Sequence, residues 1–478
     1  MATILSILSS AGTSLAALQE VITVASNNIN NSNTPGYSRQ TAVLTDLAPT
    51  DQVGGVVVGG GATVTTVTQA RDRFLEAQIP QALAQAAQST AESNALSSLQ
   101  TFDTATTSST GSGTSTGGAL ATAISSFYSS LSAASQNPSD PSLRAAALGA
   151  AQALAQAFNS TSEDIASNRS GLDTQASGLV GQINTEAAAV AELNGEIQQA
   201  SAGGTPPNDL LDLRQTHLDN LATLTGGTPI TTSQGYVNVM LPGGLALVAG
   251  TSAGSLSTEP DPANGGHLGI VLTQPGGSGT AAIAASGLGG TLGGTLSARD
   301  GALATAAASV DQLASDLSTQ LNTANEAGYG LDGSAGAALF NTGATVSGAA
   351  GAMTLAITNP SGLAFATTSG DTGDATNAQA LVATQTATLT GGEDVEGTLS
   401  AITSQYGSAA SAAQALAAQD SAMSSNLQTQ RASYSGVSTD DELITLQGAQ
   451  RSYEAISKVI TTADTMMDYL LSMTNITT

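Results

Sequence analysis

The first thirty residues carry apolar side chains at a spacing that fits a helix and not a strand. Ile4, Leu8, Ala11, Leu15, Leu18, Ile22, Ala25 and Ile29 follow one another at gaps of four and three residues. That is an a/d stripe held for almost four heptads, and it predicts a helix with one narrow apolar seam. The other end of the chain repeats the pattern. Leu446, Ala449, Tyr453, Ile456, Ile460, Ala463, Met467 and Leu470 are spaced by alternating gaps of three and four. Thr439, followed by Asp440, Asp441 and Glu442, reads as the capping box that starts this second helix. Each seam needs a partner, and the nearest is the other seam. An antiparallel pair with both chain ends at one pole is therefore predicted. Its outer faces hold Ser, Thr, Ala, Asn and Gln, which suits packing against further helices. Termini ordered by self-assembly are favoured over a closed hairpin.

Between the termini, strand-like and helix-like blocks alternate. Residues 41–68 read as extended, and the glycines of GVVVGGGATV (55–64) predict a β-hairpin. A helical block runs from 72 to 102, with Pro80 marking a first turn or a kink. Thr104 to Gly118 reads as a loop, and helix resumes at Ala119. Asn137 to Pro141 is a break, with Asp140 as N-cap and Pro141 at the first helical position. Helix then runs from Leu143 to Ala200, carrying a row of Leu172, Leu179, Ile183, Val190, Leu193 and Ile197. A short helix follows over 210–224. Residues 226–294 change character, with alternation in YVNVML and an extended LGIVLT between glycine clusters. Helix is predicted again over 296–327 and 377–431, around a Gly/Thr-rich β-like stretch. The fold class is multidomain α+β, mainly α, with nested discontinuous domains. Residues 1–36 with 436–478 form a terminal α-helical core of paired heptad helices. Residues 37–225 with 295–335 and 375–435 form a long helical rod domain. Residues 226–294 form a central β-domain, and 336–374 a small β-like insertion.

Composition narrows the function more than the fold. A chain of 478 residues exceeds one ordinary core. Its 36 acidic residues against 10 basic ones give a net charge of −26. That excludes nucleic acid as a natural partner, because phosphate recognition needs clustered cations. An anionic membrane surface is disfavoured for the same reason. There is no cysteine, hence no disulfide, thiolate metal site or cysteine nucleophile. No stretch approaches ~20 unbroken apolar residues, so no membrane insertion is expected. The start lacks a basic n-region and reads as mature structure. The glycines of 55–64 lack phosphate-loop spacing. His217 is expected on a solvated helix face and His267 in a loop without a nameable partner. Two distant histidines do not make a metal site. Asp332, in GYGLDGSAG, lacks the alternating acids of a calcium loop and reads as a turn. No G-x-S-x-G is present. No catalytic residue, cofactor or metal ligand is predicted, and the chain reads as non-enzymatic.

The stretch ASNNINNSNTPGYSRQ, residues 25–40, ends the first stripe with Asn27, Asn28, Asn30, Asn31 and Asn33. Asparagine stops helices, and Thr34-Pro35-Gly36-Tyr37 predicts a tight turn. Five amides exceed what a stop requires. They suit hydrogen bonding to neighbouring chains in an uncharged interface, and they equally suit a solvated loop. The stretch resembles the signature of the bacterial flagellar axial proteins, the rod, hook and hook-associated family. SGVSTDDELITLQGAQRSYEAISKVITTADTMMDYLLSM, residues 435–473, resembles the C-terminal helix of that family in its SGV opening, its Gln450/Tyr453 pair and its TAD segment. GYSRQ, NPSDPSLRAAALGAAQALAQAFN, LLDLRQTHLDNL, GGTLSARDGAL and ATNAQALVATQ resemble the hook-associated branch at the hook–filament junction. Hook and rod subunits usually have mainly β bodies, whereas this body reads as helical.

The resemblance implies a structural subunit exported unfolded through the flagellar type III apparatus, without a cleaved signal peptide. It implies an extracellular ring-like homo-oligomer at the distal end of the hook that allows filament growth. Hook protein, a second junction protein on the filament side, and an export chaperone on the C-terminal helix are the implied partners. The assembly residues are then Ile4, Leu8, Leu15, Leu18, Ile22, Ile29, Asn27, Asn28, Asn31 and Tyr37 at one end. At the other they are Leu446, Tyr453, Ile456, Ile460, Met467 and Leu470. A hook or rod subunit is the nearest alternative. A secreted adhesin using the β-domain is an alternative of a different class.

Overall fold

A computed structural model of the chain describes residues 2–48, 52–53, 56–57, 59–104, 118–202, 204, 206–277 and 279–474. The first heptad stripe forms helix α1 (Ala2–Asn30) along its whole length. After the corner come β1 (Gln40–Asp46), β2 (Gln52–Val53), β3 (Val56–Val57) and β4 (Ala62–Gln69). β1 pairs antiparallel with β4, Gln40 opposite Gln69 and Asp46 opposite Ala62, with a bulge between Val43 and Leu44. β2 pairs with β3 and β4 returns to β1, a long hairpin, but the runs on either side of the glycines at 59–61 pair with these other strands and not with each other as expected; residues 54, 55 and 58 lie outside the described residues.

Helix α2 (Arg73–Thr104) carries Pro80 in its interior rather than in its first turn. The loop expected over 104–118 lies almost wholly outside the described residues. α3 (Ala119–Gln136) and α4 (Pro141–Ser201) follow. Asp140 Oδ1 accepts from Ser142 N at 2.7 Å, capping α4 just ahead of its N1 proline. The predicted short helix is α5 (Asn208–Thr225). Beyond it β5 (Thr228–Thr231), β6 (Val237–Met240), β7 (Ala246–Ala249) and β8 (Ser252–Ala253) form a four-stranded antiparallel meander. β9 (Ser255–Pro260), β10 (Leu268–Thr273) and β11 (Thr280–Ile283) form a second sheet with β10 central. The entry and exit of this region touch. Gly289 N donates to Thr225 O at 2.8 Å, and a Cβ on Gly226 would come 2.8 Å from Gly289 Cα.

Three expectations about helix and strand limits change. The helix foreseen over 296–327 begins earlier and divides at Gly301 into α6 (Gly290–Asp300) and α7 (Ala302–Glu326). Gly294 of α6 lies against α2 so closely that a Cβ would collide with the Gln88 carbonyl. The insertion over 336–374 is mostly irregular, with only β12 (Phe340–Asn341), β13 (Thr354–Leu355) and a four-residue α8 (Ala349–Ala352). Its anchors are Leu339, Phe340, Met353 and Phe365, all buried. Helix over 377–431 is broken into α9 (Thr376–Ala383) and α10 (Val395–Ser435). Asp394 Oδ1 accepts from Gly397 N at 2.8 Å and restarts the helix. The C-terminal stripe is α11 (Thr439–Thr474).

Two large cores result. One joins α3, the first half of α4, α7, α9 and the irregular insertion, with Phe127, Phe158, Phe340 and Phe365 inside. The other joins Ala176 to Ala191 of α4, Leu221 of α5, Leu292 and Leu296 of α6, and the inward faces of both sheets. The predicted row on α4 is buried at Leu179, Ile183, Val190, Leu193 and Ile197, and half-buried at Leu172. The β-region therefore shares its core with helices.

Candidate assembly interface

The two heptad stripes meet. α1 and α11 pack along each other. Arg39 N, just past the end of α1, donates to Ser435 O, just before the start of α11, at 2.8 Å, so the pair is antiparallel. Ala11, Ala25, Ala449 and Ala463 are buried in the seam. Ile4, Leu8, Leu15, Leu18, Ile22 and Ile29 are half-buried, as are Leu446, Tyr453, Ile456, Ile460 and Met467. Leu470 is exposed. Ile4–Asn30 is long and apolar enough to cross a membrane by length and composition alone. Here its stripe faces α11.

A second flank of α1 is covered by the hairpin. Thr13 Oγ1 donates to Gly60 O at 3.4 Å, and Ala62 N donates to Ser14 Oγ at 3.3 Å. Ala17, Val24 and Asn28 are buried there, off the a/d stripe. The seam reading missed this row, although its spacing of seven and four was available in the sequence. Among the described residues helix α11 has no such second cover. Leu443, Ile444, Val459, Met466, Tyr469, Leu471 and Met473 are exposed, Ile444 by 70% and Tyr469 by 73%. So long an apolar surface on one helix marks a place where something docks.

The corner is built by one of the five amides. Asn28 is fully buried; its Nδ2 donates to Gln40 O at 2.8 Å, and its Oδ1 accepts from Gln40 N and from Tyr37 Oη at 2.9 Å each. This amide thus acts within the chain. Asn31 is half-buried, donating through Nδ2 to Asn27 O at 3.1 Å, while Asn27, Asn30 and Asn33 are exposed. Tyr37 N donates to Thr34 O at 3.2 Å and Gly36 has φ +83°, which is the predicted turn in its type II form. Burial, reinforced by Asp209, Asp212 and Glu442, pushes the Tyr37 phenol up to about 12. Ser38 N donates to Asp212 Oδ2 at 3.2 Å, and Arg71 Nη2 lies 2.5 Å from Asp212 Oδ1. Entry and exit of the terminal pair are thereby fastened to α5 and to the segment ahead of α2. The cap of α11 is one residue earlier than the sequence suggested: Ser438 Oγ accepts from Asp441 N at 3.4 Å, and Thr439 is already helical.

Both histidines have partners the sequence did not disclose. His217 Nδ1 lies 2.6 Å from Glu186 Oε2, joining α5 to α4, so it is not on a solvated face. His267 Nδ1 lies 2.7 Å from Asp173 Oδ2, and Arg299 Nη1 lies 2.5 Å from Asp173 Oδ1. Burial pushes the Asp173 carboxyl up, but the hydrogen bonds from His267 and Arg299 outweigh it and hold it below the usual range. This joint ties the β-region to α4 and α6. Asp332 accepts from Ser334 N at 3.0 Å, the expected turn. Among the described residues no cluster of His, Asp or Glu has metal-binding geometry. A groove of about 630 Å³ between α2 and α4 is lined by Leu83, Ala87, Asn94, Leu172 and other side chains, none of them titratable.

Known proteins share these features in the same order. Residues 8–37 match the family described as flagella basal body rod protein, and 428–473 the one described as flagellar basal body rod FlgEFG protein C-terminal. Residues 107–340 match the family described as flagellar hook-associated protein FlgK helical domain. Flagellar hook-associated protein 1 of Salmonella typhimurium is 27% identical over 344 residues, 71% of this chain. Its counterpart in Escherichia coli K12 is 27% identical over 341 residues. The chain is thus similar to flagellar hook-associated protein 1 in its body and to rod proteins at its two ends. The flagellar hook junction protein FlgK from Burkholderia pseudomallei shares the fold, with a TM-score of 0.67 at 19% identity over 75% of this chain and all of that one. The match spans 60% of the length of the Salmonella and Escherichia hook-associated proteins. The two terminal matches fall on α1 with its corner and on α11, so the paired seam is the part shared with rod proteins. The helical body carries the hook-associated likeness.

Proposed function

We propose that this protein is a structural subunit of the bacterial flagellum that forms the junction between hook and filament. One combination supports the reading: rod-type terminal helices bracket a hook-associated helical body. The half-covered stripe of α1 and the bare faces of α11 are its contact surfaces, completed by neighbouring copies in a ring-like homo-oligomer. Below it lies hook protein and above it a second junction protein. The same apolar α11 is the surface an export chaperone holds before secretion. The chain leaves the cell through the flagellar export apparatus without cleavage of a signal peptide and works outside the cell. Its role is mechanical, matching a flexible lattice to a stiff one, and it catalyses nothing.

Electron microscopy of a strain lacking the gene, with flagellin assayed in the medium, tests this. Intact hooks without filaments, together with flagellin shed to the medium, are expected. Missing or truncated hooks would move the protein to the hook or rod class, which the two terminal matches alone would also fit. Normal filaments would remove the junction role.

A further inference from the structure

The chain has ten cationic residues, and most are engaged within it. Arg71, Arg169, Arg299 and Arg431 form ion pairs, and Arg144 and Arg214 are buried on backbone carbonyls. Arg39 is half-buried at the corner. Three are exposed and make no ion pair among the described residues: Arg73, Arg451 and Lys458. The last two are the only cations of α11, one heptad apart. Opposite them in the pair, α1 carries a single charged residue in twenty-nine, the exposed Glu20.

All three charges sit on the backs of their helices. Glu20 lies two residues from both Leu18 and Ile22 of the stripe. Arg451 lies two from Ala449 and Tyr453, and Lys458 two from Ile456 and Ile460. At about 100° per residue, two residues are roughly half a turn, so each charge points away from the seam. They also lie at one level. The buried alanines of the two stripes, Ala11 and Ala25 against Ala449 and Ala463, share the same two-heptad separation. The register that pairs Ala25 with Ala449 puts Glu20 level with Glu454, between Arg451 and Lys458. The hydrogen bond from Arg39 N to Ser435 O at 2.8 Å is in step with that register at the corner. Within one chain Glu20 cannot reach either cation, because the helix pair lies between them.

We propose that neighbouring copies in the terminal core layer are registered by an ion pair between Glu20 on the back of α1 in one copy and Arg451 or Lys458 on the back of α11 in the next. The inference rests on the assembly reading above. A head-to-tail contact of this kind uses two different faces of the same unit, which is what a closed ring requires. Two cations a heptad apart accept a rise of up to about one helical turn between copies, since one or the other stays within reach. Glu454 lies between the cations on the helix and pairs with neither in this structure. It penalises a register that centres Glu20 midway and so favours a staggered one. The exposed acids Glu454, Asp464 and Asp468 of α11 repel Glu20 at other registers, so the pair sets register more than it adds affinity.

The test is complementation of the deletion strain, counting filaments per cell and measuring shed flagellin. Glu20→Lys and the double variant Arg451→Glu/Lys458→Glu are each expected to cut filaments by roughly tenfold or more, and their combination to restore them. Since the chain has no cysteine, Glu20→Cys with Lys458→Cys, and Glu20→Cys with Arg451→Cys, give a second readout. Oxidised flagella should yield ladders of cross-linked copies from at least one pair. Single variants that complement fully, a combination no better than its parents, or an absence of ladders would overturn the pairing. Should only the α11 double variant fail, those cations serve another partner and the pairing is wrong. None of these outcomes touches the junction reading, which stands or falls with the phenotype of the deletion strain itself.

Discussion

At the scale of single residues, the corner depends on Asn28. Its amide supplies one donor and a twice-used acceptor to the partly buried Gln40 backbone and Tyr37 hydroxyl. Asn28→Ala should cost about 2–3 kcal/mol locally, because the Gln40 amide and carbonyl are left without partners. Hydrogen exchange at the Gln40 amide would rise while that in the body stays unchanged. Asn28→Asp should be worse, since it sets an acceptor against the Gln40 carbonyl. A second residue predicts a pH response. Tyr128 is buried beside Thr384, its Oη 3.0 Å from Thr384 Oγ1. Burial pushes its phenol from 10.0 up to about 12, with the hydrogen bond opposing. A raised phenol favours the neutral form in the folded state, so its stabilisation is complete below pH 10 and lost as pH climbs towards 12. Melting temperature should fall through that window, and Tyr128→Phe should fall less steeply. Neither role was readable in the sequence. Asn28 stood among four other amides of identical chemistry, and only the path of the chain after Tyr37 singles it out.

Among the elements, the paired terminal helices were readable almost completely, because a seam kept for four heptads has few other uses. Breaks in long helices were not. Gly301 interrupts helical composition without a proline, and between α9 and α10 the signal present in the sequence, the Gly391-Gly392 pair after a Thr-rich run, lies inside an otherwise helical stretch, so local pattern ran across both. The insertion was misjudged for the opposite reason: Gly and Thr imitate strand and turn composition, whereas its shape is dictated by apolar anchors sunk into the core. For the seam, Leu15→Asp or Ile460→Asp should abolish assembly while leaving the body folded. An unpaired carboxylate in a packed seam costs several kcal/mol, and neither side chain touches the two large cores. The check is far-ultraviolet circular dichroism and thermal unfolding of the free protein, both near wild type, set against lost filament growth in cells. At the crossing of α6 with α2, Gly294→Ala should destabilise by about 1–3 kcal/mol, as the Gln88 carbonyl leaves no room for a methyl group. Thermal unfolding of the free protein would register it.

Across the whole molecule, α4 is the spine, and it links the two cores. Its sixty-one residues serve the helical core from Ala147 to Ile165 and the β-associated core from Ala176 to Ala191. The touching ends of the β-region, Gly226 beside Gly289, invite the view that residues 227–288 form a module that can be lifted out. The cores argue otherwise. Leu179, Val180, Ile183, Ala187 and Val190 of α4 are covered from that side by Val237, Val239, Leu247, Leu256, Ile270 and Leu272. Excision with a short glycine linker would bring an apolar flank of α4 into water, each large side chain losing about 1.5–3 kcal/mol of burial. His267 would be lost from its joint with Asp173, which would keep only Arg299. We expect the excised chain to keep hydrogen-exchange protection over 141–165, where the helical core is intact, and to lose it over 176–197, with a rise in self-association. Uniform protection along all of α4 would show the β-region to be an appendage. Loss from both halves would show that the two cores fold as one cooperative unit. The split outcome follows from the packing, because the large side chains of the two cores meet on different segments of α4.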